Sequence, residues 1–352
     1  MIDRELASFV KSLIPEEKRS GNNEKPVSVW MEMDRIRGYP EQTCVAIFRT
    51  TGCSWYNFSS CSMCGYFNDI SNTVTEEDLM KQTDEIIHYL GNTETLKVFT
   101  SGSFLDPIEM PVRARDYFYD SISGKIAKLL VESRTEYITP SNLSPLKGRK
   151  LNARIAIGVE SANDEIIARS INKGSSFNKF VTAARISKEQ GFEVRSYLLL
   201  KPPFMSEVEA VDDCMRSISL VAPYSTDISI NPMNIQKNTL VEYLWKRGQY
   251  RPPRLWSLGR ILAWAGRSGY NVVSYPTGGN RERGVHNDLN DERLLNLIVQ
   301  SSLNQDFDEL DKYIQSSDLS RYYNDIEVEN LLPEELDYQK LIHEMSFSRI
   351  SV

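Results

Sequence analysis

Between residues 45 and 233 the chain repeats one cadence, a short apolar strand followed by a helix. That cadence constrains the fold more than any other feature. Val45–Arg49 reads as the first strand. Thr75-Glu-Glu-Asp78 marks a helix start, with Thr75 as cap and acids in the first turn. Leu79, Ile86 and Leu90 give that helix an apolar stripe. Leu96–Phe99 is the next strand, and Tyr117–Leu130 a helix running towards a strand at Leu129–Ser133. Ala153–Val159 is nearly continuous in apolar residues, as a strand buried on both faces should be. Asn163 caps the helix after it, and Phe177–Gln190 is a helix closed by Gly191. Val194–Leu200 is a strand, Ser206-Glu-Val-Glu209 a capping box opening a helix to Ala222, and Ile228–Ile230 the last strand. This pattern predicts a parallel α/β fold. A full eight-unit barrel takes about 250 residues. Six units therefore predict a partial, open TIM-like (β/α)6 barrel with a smaller C-terminal α+β extension.

The expected division is an N-terminal helical extension over 1–40, a core over 41–235, and a C-terminal binding region over 236–352. The extension begins with an amphipathic helix ending near Pro15. In the C-terminal region Leu255–Arg267 reads as a helix, Asn271–Tyr275 as a short strand, and Asn290 onward as helical. No apolar run approaches the ~20 residues needed to span a bilayer, and the N-terminus lacks a signal-peptide pattern. The five cysteines, an odd number, do not form a disulfide framework. The expected setting is a reducing cytoplasm with no membrane partner.

Polar or small residues end the strands: Ser101, Gly102 and Ser103, Glu160, Lys201 and Asn231. In parallel barrels that edge carries the active site. The loop after the first strand holds three of the five cysteines within twelve positions, Cys53, Cys61 and Cys64. Structural zinc wants four ligands in paired short spacings. The three histidines, His88, His286 and His343, lie outside the loop, and there is no second CxxC. Buried free cysteines are common, but a polar, aromatic loop is a poor place to bury three for packing. An iron–sulfur cluster fits the soft, closely spaced thiolates best. Three cysteines on a four-iron cluster leave one iron for an external ligand. A zinc-stabilised RNA-binding module without catalysis is the non-enzyme alternative.

A three-cysteine loop after the first strand of a partial barrel resembles the radical S-adenosylmethionine (SAM) superfamily, over residues 40–235. The seven-residue gap between Cys53 and Cys61 departs from the superfamily's commonest CxxxCxxC and is similar to the elongator catalytic subunits. The resemblance implies a [4Fe-4S] cluster on Cys53, Cys61 and Cys64 whose open iron binds SAM. It also implies reductive cleavage of SAM to a 5′-deoxyadenosyl radical, with an external one-electron donor. It places Thr100, Ser101, Gly102 and Ser103 at the glycine-rich motif that holds the SAM amino group, and Glu160 at the ribose hydroxyls. Lys173 and Arg195 become candidates for the SAM carboxylate, Met63 and Tyr66 for the neighbourhood of the adenine, where packing is the plainer role.

Further segments narrow the resemblance. Phe99–Asp106, Val131–Glu136, Ile157–Ala162, Lys201-Pro-Pro-Phe204, Asn231-Pro-Met-Asn234 and the loop with Gly279, Arg281, Arg283, Gly284 and His286 resemble, in this order, the radical SAM components of archaeosine synthases. That likeness implies action on tRNA bearing a lysine-adducted 7-deazaguanine made by a transglycosylase-like, lysine-transferring subunit. The expected reaction is C–N cleavage of the lysyl group, leaving the amidine. Glu132 and Arg134 are candidates for the lysyl ammonium and carboxylate, with a plain salt bridge as the other reading. Asn231, Arg281, Arg283 and His286 are candidates for substrate contact. Another elongator-like enzyme modifying tRNA or protein is the alternative.

The net charge of −7 conceals an asymmetry. From Trp245 to Val285 eight Lys and Arg face one acid, Glu282, among Trp245, Tyr250, Trp256, Trp264, Tyr270 and Tyr275. Positive charge interleaved with aromatics suits nucleic acid. An acidic stretch follows from Asp306.

Overall fold

The computed structural model describes residues 4–15, 21–278, 281–285 and 291–331. Its frame is one eight-stranded sheet in sequence order. The strands are β1 (Ser28–Asp34), β2 (Glu41–Ile47), β3 (Thr95–Phe99), β4 (Lys128–Ser133), β5 (Ala153–Glu160), β6 (Glu193–Leu200), β7 (Asp227–Pro232) and β8 (Val272–Val273). β1 pairs antiparallel with β2, and every later pair is parallel. The sheet forms a half-barrel whose core is the expected six parallel strands, β2 to β7.

The helices are α1 (Arg4–Ser12), α2 (Ser54–Phe58), α3 (Glu76–Leu90), α4 (Val112–Ile122), α5 (Pro140–Gly148), α6 (Asp164–Ile166), α7 (Phe177–Glu189), α8 (Glu207–Val221), α9 (Leu240–Lys246), α10 (Leu255–Arg267), α11 (Glu292–Asn304), α12 (Asp308–Ser316) and α13 (Ser320–Leu331). They cover the outer face, except that α2 lies in the cysteine loop and α1 and α9 share a second apolar cluster with Ile171, Leu199 and Met233. Both capping boxes form: Thr75 and Ser206 accept from the backbone of Asp78 and Glu209, whose side chains answer the cap N–H. The strands alternate as a half-barrel demands. Leu96, Val98, Leu129, Val131, Ile155, Ile157, Leu198, Ile228 and Ile230 join the core beneath the helices. The intervening residues face the lumen, where Leu130 and Ala156 pack on Ile36.

Before the core, β1 joins the sheet, and its Glu32 and Asp34 bond Lys97 on β3 (2.6 and 2.7 Å). After it, β8 falls within the expected strand Asn271–Tyr275 and pairs with β7. Among the described residues no helix is long and apolar enough to cross a membrane.

The lower lumen is filled with charge. Arg195 bonds Asp227 (Nε to Oδ1, 3.0 Å) and Asp34 (Nη1 to Oδ2, 3.1 Å), and Arg154 bonds the same Asp227 (2.7 Å). Burial opposes ionisation of Asp34, but Lys97 and Arg195 outweigh it and hold its pKa far below the usual carboxylate range. Arg195 thus stands at the start of its strand, in register with Ala156 and Asp227. The C-terminal strand ends are the other edge, so the proposed SAM-carboxylate role for Arg195 is withdrawn in favour of this ionic plug.

Candidate active site

The C-terminal strand ends form a concave mouth, and its loops carry unusual backbone. Among the described residues eight non-glycine residues have positive φ, and five of them lie here: Ser60, Glu160, Asn172, Lys201 and Phe204. Each such conformation costs about 1–3 kcal/mol and persists where surrounding structure enforces it, often at functional sites.

Cys53 caps the start of α2 and Cys64 closes a turn on Cys61. The intervening segment is anchored from outside. Trp55 Nε1 donates to the Asn172 carbonyl (2.8 Å), Asn172 Nδ2 to the Ser60 carbonyl (2.7 Å), and Ser62 Oγ to the Ser170 carbonyl (2.7 Å). Asn172 ends a π-helical turn over Ile167–Ile171 that continues α6. π-turns of this kind recur at functional sites, and this one swings Lys173 over the mouth. Lys173 Nζ donates to Glu160 Oε1 (2.7 Å) and to the Gly158 carbonyl (2.6 Å). Any Cβ on Gly158 would lie 2.6 Å from that ammonium. Burial disfavours the Lys173 charge, yet Glu160 and Cys61 outweigh it and raise its pKa.

The Thr100–Ser103 loop presses on the first cysteine. A Cβ on Gly102 would stand 2.6 Å from Cys53 Sγ and 2.9 Å from its Cα, so no other residue fits without moving that thiol. Glu109 holds this loop, and sequence spacing gave no sign of it. Its buried carboxylate accepts from Gly102 N–H (3.0 Å), Ser103 N–H (2.6 Å) and Thr50 Oγ1 (2.9 Å). Thr50 in turn accepts from the Gly52 N–H beside Cys53 (3.2 Å). One carboxylate therefore ties the approach to Cys53 to the loop facing it. Burial pushes Glu109 up to about 7.

Other candidates fall into three groups. Glu132 faces the lumen of the mouth, and burial pushes it up to about 8, with Glu109 adding to the shift. Asn231 is also lumen-facing by alternation and accepts from Ser229 Oγ (3.2 Å). Tyr66 is half exposed, and desolvation raises its pKa, as do Glu132 and Cys64. Arg134 is committed to Glu136 (2.6 Å) and to the face of Trp55 (5.4 Å), within the field of Cys53 and Cys61. Met63 packs with α1 and α9 as core. Arg283 bonds Glu242 (2.8 Å) and covers Trp245 (4.8 Å), Arg281 is exposed, and His286 lies outside the described residues.

The basic, aromatic stretch is largely engaged within the chain. Lys246 pairs with Glu242, Arg251 with Glu329, Arg254 with Asp325 and Arg267 with Asp311. Trp256 stacks on Tyr313 and Trp264 lies against Tyr270. The acidic tail answers most of these charges.

The donor set suits a cluster better than one ion. The three thiols influence one another's ionisation, and burial pushes Cys61 up to about 12 and raises Cys53 and Cys64. Yet among the described residues no three Cys, His, Asp or Glu side chains converge to hold a single metal ion. Zinc needs four donors around one point, whereas a multi-iron cluster takes each thiolate on a different iron. Lys173 and Arg134 supply positive charge beside them.

The comparisons with known proteins agree with this geometry. Residues 47–214 match the radical SAM superfamily model. An archaeosine synthase subunit beta from Methanosarcina acetivorans is 42% identical, over 77% of this chain and 80% of that one. One from Thermococcus kodakarensis is 35% identical, over 88% and 94%. The chain belongs to the radical SAM superfamily, in the family of these two proteins. A Danio rerio elongator complex protein 3 is 24% identical, over 52% of this chain and 37% of that one. Membership makes this a radical SAM enzyme and implies SAM and an iron–sulfur cluster as its cofactors.

The contact at Gly102 gives a direct prediction. Gly102→Ala should lower the iron retained after anaerobic reconstitution by more than half, because its methyl displaces Cys53. Iron and sulfide analysis of folded protein measures this. Full iron content in that variant would show that the loop does not constrain the thiol.

Proposed function

We propose that the chain is the radical SAM component of an archaeosine synthase. It would complete the modified base on tRNA by C–N cleavage of a lysine-adducted 7-deazaguanine, leaving the amidine. Its partners would be that tRNA, a lysine-transferring subunit and an external one-electron donor. The observation that carries this reading is Cys53 seated against Gly102 at the barrel mouth, in a chain covering 94% of a protein named archaeosine synthase subunit beta. When bound on Cys53, Cys61 and Cys64, the cluster would supply the electron that cleaves SAM.

The chain's own residues divide the remaining work. Gly102 and the loop held by Glu109 keep space for the SAM amino group. Glu160, held by Lys173, would offer acceptor oxygen to the ribose hydroxyls, and Lys173 is the remaining candidate for the SAM carboxylate. Glu132 and Asn231 face the lumen, where a lysyl side chain entering from the base would end. A lysyl ammonium arriving there would hold the Glu132 carboxyl in its ionised form, and a charge-assisted hydrogen bond is worth about 1.5–3 kcal/mol.

The test is product analysis with lysine-adducted tRNA, SAM and reductant. Archaeosine should form with the wild-type protein, and its absence would remove this assignment while leaving superfamily membership intact. Glu132→Gln should lower kcat/KM for the adducted tRNA by about 10–100-fold. The loss should fall mainly on KM, with SAM binding retained. An unchanged KM would take the lysyl contact away from Glu132.

A further inference from the structure

We propose that α13 masks a phosphate-binding surface beside the mouth, and that the RNA backbone takes its place. This rests on the tRNA reading above. The helix presents Tyr322, Asp325, Ile326 and Glu329 to the body of the protein, at i, i+3, i+4 and i+7. Glu329 bonds both Lys201 and Arg251, and Asp325 bonds Arg254 (2.9 Å). Tyr322 takes a hydrogen bond from Arg260 Nη1 (3.1 Å). Four cations, Lys201, Arg251, Arg254 and Arg260, therefore lie under one helix. Among the described residues the acid paired with these cations from the barrel is Glu207, which bonds Lys201 (2.9 Å) and the Arg254 backbone N–H (2.7 Å).

The two helix carboxylates are one turn apart, about 6 Å along the axis, a spacing similar to that of neighbouring phosphates in a nucleic-acid strand. The masked surface is also incompletely satisfied. The buried Nε of Arg254 has no hydrogen-bond partner among the described residues, while its Nη1 lies 2.9 Å from Asp325 Oδ2. A phosphate, with more acceptor oxygens than a carboxylate, could reach this N–H as well.

Position supports the exchange. Lys201 follows the last residue of β6 at the mouth edge. The Pro203 carbonyl accepts from Ser170 Oγ, and the Ser170 carbonyl accepts from Ser62 Oγ (2.7 Å), next to Cys61. A nucleotide whose base enters the mouth would carry its neighbouring phosphates past this loop. Phosphate contacts position an RNA without reading its sequence, which is what an enzyme guided by the modified base requires.

The experiment is binding of an unmodified tRNA transcript to the full-length protein across a salt series. Asp325→Asn with Glu329→Gln should bind about tenfold more tightly at low salt, with a log–log salt slope steeper by about one to two. In that background, Arg251→Ala with Arg254→Ala should abolish the gain. A packing role alone predicts lower stability with no gain in affinity. Unchanged or weaker binding in the first variant would overturn the proposal, as would a gain that survives loss of both arginines. Wild-type archaeosine formation is scored separately, so failure of the functional reading is distinguishable from failure of the mask.

Discussion

Cys61→Ala should lower SAM-dependent release of 5′-deoxyadenosine by at least about a thousandfold, some 4 kcal/mol in barrier terms, with tRNA binding retained. The reason lies in where Cys61 sits. It is half-buried at the mouth in the same loop as Cys53 and Cys64, with Lys173 and Arg134 supplying positive charge beside it. Alanine leaves two thiols and the positive charge of Lys173 and Arg134 around them. Cys214→Ala is the matched control, because Cys214 is buried in the core between α8 and the sheet and faces no other cysteine. That variant should keep turnover and lose only stability. Equal losses of turnover from both substitutions would mean that Cys61 acts through folding.

Arg195→Leu should destabilise the protein by about 3–5 kcal/mol, the usual consequence of removing one partner from a buried ionic cluster. The substitution leaves Asp34 and Asp227 in the lower lumen with Lys97 and Arg154 as their remaining cations. A denaturant midpoint measures the loss. SAM binding by the folded fraction should be unchanged, since Arg195 lies at the opposite edge of its strand from the cysteines. A stable variant with weakened SAM binding would restore the role that its charge suggests in the sequence.

That reversal shows where a sequence can and cannot be read. The strand Ala153–Glu160 was legible because Ile155, Ile157 and Val159 face the helices while Ala156 and Gly158 face the lumen, which leaves a nearly continuous apolar run. The helix caps were legible because Thr75 and Ser206 act within four residues of chain. Arg195 misled because charge at a strand is visible while its depth in the barrel is not; being at the strand's start was the clue. β1 was missed because its Val29, Met31 alternation carries Glu32 and Asp34, whose partner Lys97 is more than sixty residues away. The intramolecular partners of the basic stretch were hidden for the same reason. Arg251 finds Glu329 at a separation of 78 residues and Arg267 finds Asp311 at 44. At the site, Cys53, Cys61 and Cys64 stood out by spacing and Gly102 by its place after a strand. Glu109 did not, since its three donors come from two loops that only the fold brings together.

The most direct measurement uses tRNA whose lysine adduct is deuterated along the lysyl side chain, incubated with the reconstituted enzyme, SAM and reductant. The account predicts archaeosine together with deuterium in the 5′-deoxyadenosine. Archaeosine formed without SAM cleavage, or 5′-deoxyadenosine free of deuterium, would contradict it.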